Sequence, residues 1–412
     1  MKTDLDAQPA ARGFPRFVYV LMLLEMTSFG LLFPVLPNRV AALVGPGPMA
    51  TMGYGGVILV FSIGFLLAVS LTGPLSDRHG RRPLMLWNCV GLTLGNLVAA
   101  MAPGIGLFAL CRALCGLSNT NIALAQAYIA DLSTPSERGG RFGIMGAMQG
   151  LGFILGPILG GYLGQQDPRI PFLLAGVASA VNGVVGFFLL EESLPPERRR
   201  ISVTASVNPL RVVADLRRLP GFGALVPALG VLTLSQNVMI TAWVPYATAR
   251  FGWGPRENGW GLFLYGATAA IAQGLLFPVV VQRVPLRWIC QSAMASTGIT
   301  YLAFGWVHEG RWVFGLMVAN VVGFLAYIGF QTLASERTGA SHQGHTMGGL
   351  QALNNLTLVL SPICTSGLLY ATTLWPASDW RAGLPMYFIA GLVFLALALS
   401  HRPLSKDTAS AD

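Results

Sequence analysis

Residues Gly73 to Pro83 read GPLSDRHGRRP, which gathers Asp77, Arg78, Arg81 and Arg82 into one short stretch between two long runs that carry no charge. Each flanking run exceeds the roughly 20 residues that a helix needs to cross about 30 Å of hydrocarbon. The charged stretch therefore reads as a loop at the rim of a membrane, joining a second span to a third. Gly73 and Gly80 are expected to let the backbone turn tightly, and the arginines to hold the turn on the cytoplasmic side.

Composition extends this reading to the whole chain. Of 412 residues, 53% are apolar and 10% are Asp, Glu, Lys or Arg, against about 25% charged in an average soluble domain. Apolar runs of spanning length recur from end to end, and helices are the form in which a single segment satisfies its own backbone in lipid. With the N-terminus in the cytoplasm, 19 of the 26 Lys and Arg fall in inner loops and tails, 6 in outer loops and one, Arg112, inside a span. That asymmetry sets the orientation. It also explains the net charge of +9 as topogenic, so no nucleic-acid partner is expected. Cys89, Cys111, Cys115, Cys290 and Cys364 all fall in expected spans and imply no disulfide framework. The first apolar run has no small-residue cleavage site and reads as a retained helix, not a signal peptide.

The spacing predicts helices over 14–36, 51–75, 84–101, 107–131, 140–164 and 171–190, then 222–248, 257–281, 287–306, 312–334, 345–371 and 383–400. The expected fold is an all-α membrane protein with twelve transmembrane helices in two pseudo-symmetric six-helix bundles, 1–191 and 221–412. Residues 192–220 form a cytoplasmic linker, in which a short helix opening at Asn208-Pro209 is expected to lie on the inner surface with Leu210, Val213 and Leu216 toward headgroups. A weak internal repeat supports two halves: QAYIAD from Gln126 aligns with QTLASE from Gln331, and MGAMQGL from Met145 with MGGLQAL from Met347. Parallel repeats of this kind occur in transporters that rock one half against the other around a midplane site.

The spacing Gly73, Asp77-Arg78, Gly80-Arg81-Arg82 resembles the loop 2-3 signature of the major facilitator superfamily. Within it, the chain is most similar to drug:proton antiporters of the tetracycline-efflux type, on an acid in helix 1 followed by Gly30-Leu31-Leu32-Phe33-Pro34-Val35-Leu36-Pro37 and on the linker opening from Glu192 to Arg199. The run Gly146-Ala147, Gly150, Gly152, Gly156-Pro157, Gly160-Gly161 and Gly164 resembles the antiporter motif of exporters. Physically, glycines at every fourth position from 152 strip one helix face for close packing. The resemblance implies that Arg81 reaches Asp131, with Asp77 at the N-terminus of helix 11, as an inner latch that Arg138 and Arg141 could join. It also brings out departures: positions where tetracycline exporters carry a helix 3 acid, a helix 2 glutamine, a helix 8 histidine and a helix 9 acid hold Gly95, Phe65, Ala269 and Ala295. Tetracycline itself is thus in doubt as a substrate.

Glu25 is the one acid placed near the middle of a span, where a charge costs about 2.5–3.5 kcal/mol on insertion scales and marks a functional site. A carboxyl whose surroundings change between two conformations can take up and release a proton, and Arg112 is its candidate partner. Asn119, Asn121, Gln126, Gln149, Gln236, Asn237, Gln273, Asn354 and Asn355 could line a cavity or bond helix to helix. Phe61, Phe65, Trp243, Tyr246 and Tyr265 could supply an apolar wall or interfacial anchors.

The leading functional expectation is a proton-coupled exporter of amphipathic small molecules or drugs in the cytoplasmic membrane, with both termini inside. It would act as a monomer on a small-molecule substrate, protons and the lipid bilayer, with no cofactor. The alternatives are an exporter of one native metabolite, an uptake symporter, or a membrane enzyme or sensor. No catalytic motif and no metal-binding spacing appears, and His308, His342 and His345 are expected at rims.

Overall fold

The computed structural model describes residues 16–199, 209–218 and 223–405. Its elements are α1 (Phe17–Leu32), α2 (Leu36–Val44), α3 (Pro48–His79), α4 (Arg81–Met101), α5 (Ile105–Leu117), α6 (Asn121–Asp131), α7 (Pro135–Gln166), α8 (Ile170–Leu189), α9 (Pro209–Arg217), α10 (Val226–Phe251), α11 (Pro255–Ile271), α12 (Phe277–Val280), α13 (Leu286–Trp306), α14 (Gly310–Ala319), α15 (Leu325–Thr372) and α16 (Leu384–Ser405). Among the described residues, ten segments can cross a membrane by length and apolarity, or eleven if the bent pair α1 and α2 is one span. The twelfth position is held by α13, whose 21 residues reach about 31 Å at 1.5 Å per residue. Helices α1 to α8 pack as one bundle and α10 to α16 as a second. The ends that carry α1's start, the α3–α4 junction and α9 share one side, called here the terminal end.

Several helices differ from the sequence reading. The first does not close at 36: α2 continues it to Val44 after a 46° bend at Pro34, because Pro34 has no N–H to carry the helical ladder onward. The fourth is broken at Ser118–Thr120, and the tenth passes through a 3-10 turn at Asn320–Val322 before α15. The eighth contains a π turn at Ala272–Leu276 between α11 and α12. Gly73 is no turn residue, since α3 runs through it to His79; the chain reverses at Gly80 alone, whose φ of +99° suits glycine. The linker helix α9 is not a surface float either: Leu216 is fully buried in the second bundle's core and lies against Gly349. Asn208 lies outside the described residues, as does the side chain of Leu210.

The two bundles echo each other at the far end in a way that the sequence hid. Arg39 on α2 is buried and donates to the carbonyls of Ala99 (3.4 Å), Ala100 (3.1 Å) and Ala102 (2.9 Å), closing the C-terminus of α4. Arg250 on α10 is buried too and donates to Gly305 (3.2 Å) and Val307 (3.4 Å) at the C-terminus of α13. Each arginine lies in the far-end part of the first span of its bundle and caps the third. Arg250 also reaches the carbonyls of Ala377 and Asp379, where the Arg381 side chain and backbone hold the Asp379 carboxyl below its usual range.

The glycine face of α7 explains the tightest packing. A Cβ built on Gly152 would sit 2.6 Å from the Leu23 carbonyl, and one on Gly156 would sit 2.6 Å from the Thr27 carbonyl and 2.7 Å from Gly30 Cα; Gly160 and Gly164 meet Leu31 and Val35 in the same way. This face therefore packs on α1 of its own bundle. Gly161 turns the other way, with its Cβ position 2.6 Å from the Pro255 carbonyl on α11 of the second bundle, while Gly146 and Gly150 have nothing within 4 Å. The motif thus serves two contacts, and its two terminal-end glycines serve neither. Replacing Gly156 by Ala should lower stability by about 1–3 kcal/mol, because both neighbours are backbone and cannot yield. Gly150→Ala should match or slightly exceed wild type. Thermal unfolding of the detergent-solubilised protein checks this, and equal midpoints for Gly156→Ala and wild type would refute the packing account.

Candidate functional site

The polar interior of the first bundle grows out of the break between α5 and α6. In lipid, the peptide groups freed by a broken helix need side-chain partners. The Thr120 hydroxyl receives hydrogen bonds from the Thr72 hydroxyl (3.0 Å) and the Asn88 amide (2.9 Å), and Asn88 also donates to Asn121 Oδ1 at 2.9 Å. Asn121 opens α6 and donates from Nδ2 to Glu25 Oε2 at 2.9 Å. The carboxylate thus meets the positive end of a half-helix. Glu25 is 5% exposed, and its Oε1 is buried without a hydrogen-bond partner.

Arg112 does not pair with Glu25. Its Nη2 donates to Asn96 Oδ1 at 2.5 Å and to Cys115 Sγ at 3.0 Å, and its guanidinium lies 5.3 Å from the Phe172 ring centre and 5.9 Å from that of Phe108. The arginine is turned into the packing between α4, α5 and α8. Gly95 stands beside it, and a Cβ there would lie 3.1 Å from the Cys111 carbonyl, which leaves no room for an acid in helix 3.

At the terminal end, Arg81 does join Asp131, with Nε 3.2 Å from Oδ2. It also holds Asp77 at 2.6 Å and donates to Ser76 Oγ at 2.5 Å. Asp77 thus binds within its own bundle, and no hydrogen bond or ion pair among the described residues ties it to the second. Arg138 and Arg141 donate to the carbonyls of Ala130 (3.0 Å) and Leu132 (2.6 Å) at the end of α6. Arg78 is exposed and Arg82 half-buried. The sequence reading missed two members of this cluster. Glu192 accepts from the Arg81 N–H at 2.8 Å and fills the space beside Gly80, and the Ser193 hydroxyl donates to Asp131 Oδ2 at 3.0 Å. Their signal was adjacency to a known span end, but nothing in the spacing said where the linker folds back.

The other candidates separate by burial. Asn119 lies in the helix break and is half-buried, as is Gln236, and Gln126 is exposed on α6. Gln149 donates to Met22 Sδ at 3.7 Å. Asn237 bonds helix to helix, donating to Asn354 Oδ1 at 3.2 Å and Thr357 Oγ1 at 2.9 Å; Asn355 accepts from Gln351 at 3.1 Å. Trp243 and Tyr246 are core residues of the second bundle, not cavity wall. Tyr265 is half-buried with its ring edge-on to Phe324 at 4.7 Å, and Gln273 sits exposed in the π turn. Phe29, Phe33, Phe61 and Phe153 form a chain of rings 5.0–6.3 Å apart. No metal-binding group of side chains occurs among the described residues, and the side chains of His342 and His345 lie outside them.

The bundles meet at the far end. The Tyr54 hydroxyl donates to the Thr241 carbonyl at 2.8 Å, Gly55 meets Ser366, and the Arg256 guanidinium stacks 5.0 Å from the Tyr162 ring centre. Toward the terminal end, the Cβ positions of Gly139, Gly140, Gly143, Gly146 and Gly150 on α7 are all open.

Comparison with known proteins accounts for this architecture. The tetracycline resistance protein, class C, of Escherichia coli is 29% identical over 89% of this chain and 92% of its own length, and the class G protein of Vibrio anguillarum is 28% identical over 89% and 93%. A solved structure of the human organic anion transporter MFSD10 (TETRAN) superposes with a TM-score of 0.66 at 23% identity, covering 95% of this chain and 100% of that one. The model of the Major Facilitator Superfamily matches residues 18–362, so the chain belongs to that superfamily and is a multi-pass membrane transporter.

Proposed function

We propose that this transporter is a proton-coupled antiporter that exports amphipathic small molecules across the cytoplasmic membrane by alternating access. The terminal end, rich in Arg, faces the cytoplasm. The observation that carries the coupling is Glu25: a carboxylate buried at a helix break, with one oxygen bound by Asn121 and the other unpartnered. Such a group is costly to keep charged in a span, and a proton or a cationic substrate group relieves the cost. The tetracycline resistance relatives support export. Tetracycline itself is not proposed, since Gly95, Phe65, Ala269 and Ala295 stand where those relatives are expected to carry polar groups.

Contacts at the far end and open glycine positions at the terminal end support an inward-open state. Arg81, Asp131, Asp77 and the linker residues Glu192 and Ser193 would then hold the rim of the first bundle ready to close on the second. Gly161 and Pro157 would form the seam that parts when the transporter opens outward.

Glu25→Gln keeps size and hydrogen bonding but cannot ionise. In reconstituted liposomes it should abolish uptake driven by a pH gradient while substrate binding survives, and Glu25→Asp should keep part of the rate. Wild-type pumping by Glu25→Gln would place the proton path elsewhere.

Charge reversal probes the rim. Arg81→Asp and Asp131→Arg should each impair transport, and the double swap should regain only part of it, because Asp77 then faces a like charge. Two losses that simply add, with no recovery in the double variant, would show that the pair does not act together.

A further inference from the structure

The lipid-facing side of the first bundle carries a groove of about 550 Å³ between α4 and α8, lined by Leu86, Val90, Leu94, Val184, Phe187 and Phe188, with Cys89 and Thr93 among its few polar atoms. We propose that this groove holds an acyl chain of an anionic glycerophospholipid whose phosphate sits on Arg82.

The walls are exposed and apolar: Val90, Leu94, Val184, Phe187 and Phe188 are each 45% exposed or more, on helices of spanning length. In a bilayer their only cover is lipid or another protein, and a depression of this width between two helices takes a chain better than a flat face does. Gly183 keeps the floor shallow, with its Cβ position 3.2 Å from Cys89 Cβ.

Arg82 makes the site selective. It lies one turn before Leu86 on the same helix, so it stands at the terminal-end mouth of the groove. Its guanidinium is 5.4 Å from the ring centre of Phe187, a groove residue, and Nη2 donates to the Phe187 carbonyl at 2.6 Å. That bond caps α8 and fixes the guanidinium; Nε is enclosed, so the half-buried side chain meets a phosphate through its Nη atoms. Of the acids nearby, Glu192 is taken up by the N–H groups of Arg81 and Leu194 and by Arg199, and Glu191 is exposed with contacts of its own. Arg78, exposed at the end of α3, adds positive charge to the same rim. A phosphate diester presents acceptors that a fixed guanidinium suits. Only the choice of leaflet, the cytoplasmic one, rests on the orientation proposed above.

The test is native mass spectrometry of the full chain released from nanodiscs of equal phosphatidylglycerol and phosphatidylethanolamine. Wild type should retain phosphatidylglycerol about fivefold over phosphatidylethanolamine, the preference that one basic residue gives at an anionic surface. Arg82→Gln should bring the ratio near one, and Arg82→Lys should keep most of it. Val184→Trp, an apolar change at a lipid-exposed position, should fill the groove and lower retention of both lipids. Equal retention by wild type, an undiminished preference in Arg82→Gln, or undiminished phosphatidylglycerol on Val184→Trp would each overturn the proposal.

Discussion

A helix that stops within hydrocarbon leaves peptide groups bare where no water can serve them, and the first bundle is arranged around one such stop. Between Leu117 and Asn121 the fourth span breaks, and Thr72, Asn88 and Thr120 gather at the gap from three helices. That polar ring makes Glu25 tolerable. Without the break, Asn121 would be an ordinary mid-helix residue, and the carboxylate would lose the half-helix start that its Oε2 meets through Asn121. The tenth span changes course at the corresponding place, Asn320–Val322, where Asn320 accepts from Ser296 at 2.9 Å. No carboxylate stands there. The two halves therefore share a polar break, but only the first has added an acid to it.

The pseudo-symmetry is written most clearly in the arginines. Arg39 and Arg250 each cost desolvation, and each is repaid by several carbonyls at a helix C-terminus, where the dipole favours positive charge. Both close the far end of a bundle. Since the bundles also touch one another there, through Tyr54, Gly55 and Gly161, the capped helix ends stand at the seam between the two halves.

What could be read from the chain alone followed from periodic signals. Apolar length located the spans and the fourfold glycine spacing marked the α7 face, while the partner of Asp131 came from the family resemblance of the stretch from Asp77 to Arg82. Long-range and irregular features escaped. Arg39 and Arg250 looked like loop charges because hydropathy cannot tell an arginine facing water from one plugging a helix end. The pairing of Glu25 with Arg112 was left open by sequence, and geometry assigns Arg112 to Asn96 and Glu25 to Asn121. Gly73 looked like a turn because glycine is ambiguous in a span, whereas Gly80 is fixed by the carboxylate of Glu192 lying where a side chain would be.

The linker follows from the same ambiguity. Its opening residues are not slack between bundles: Glu192 closes the start of α4 and Ser193 binds the carboxylate that Arg81 holds, while α9 inserts Leu216 against Gly349 of the second bundle. One covalent segment is thus anchored in both halves at the end where their glycines stand apart. Any rocking that brings those rims together must shorten the span between Ser193 and Leu216 or release one anchor. With 22 residues between the two anchors, and up to about 3.3 Å per residue when extended, the segment has ample length to give. Chain length therefore sets no limit on the distance between the two anchors, and Arg81 and Asp131 stand where the linker leaves the first bundle, held there by Ser193.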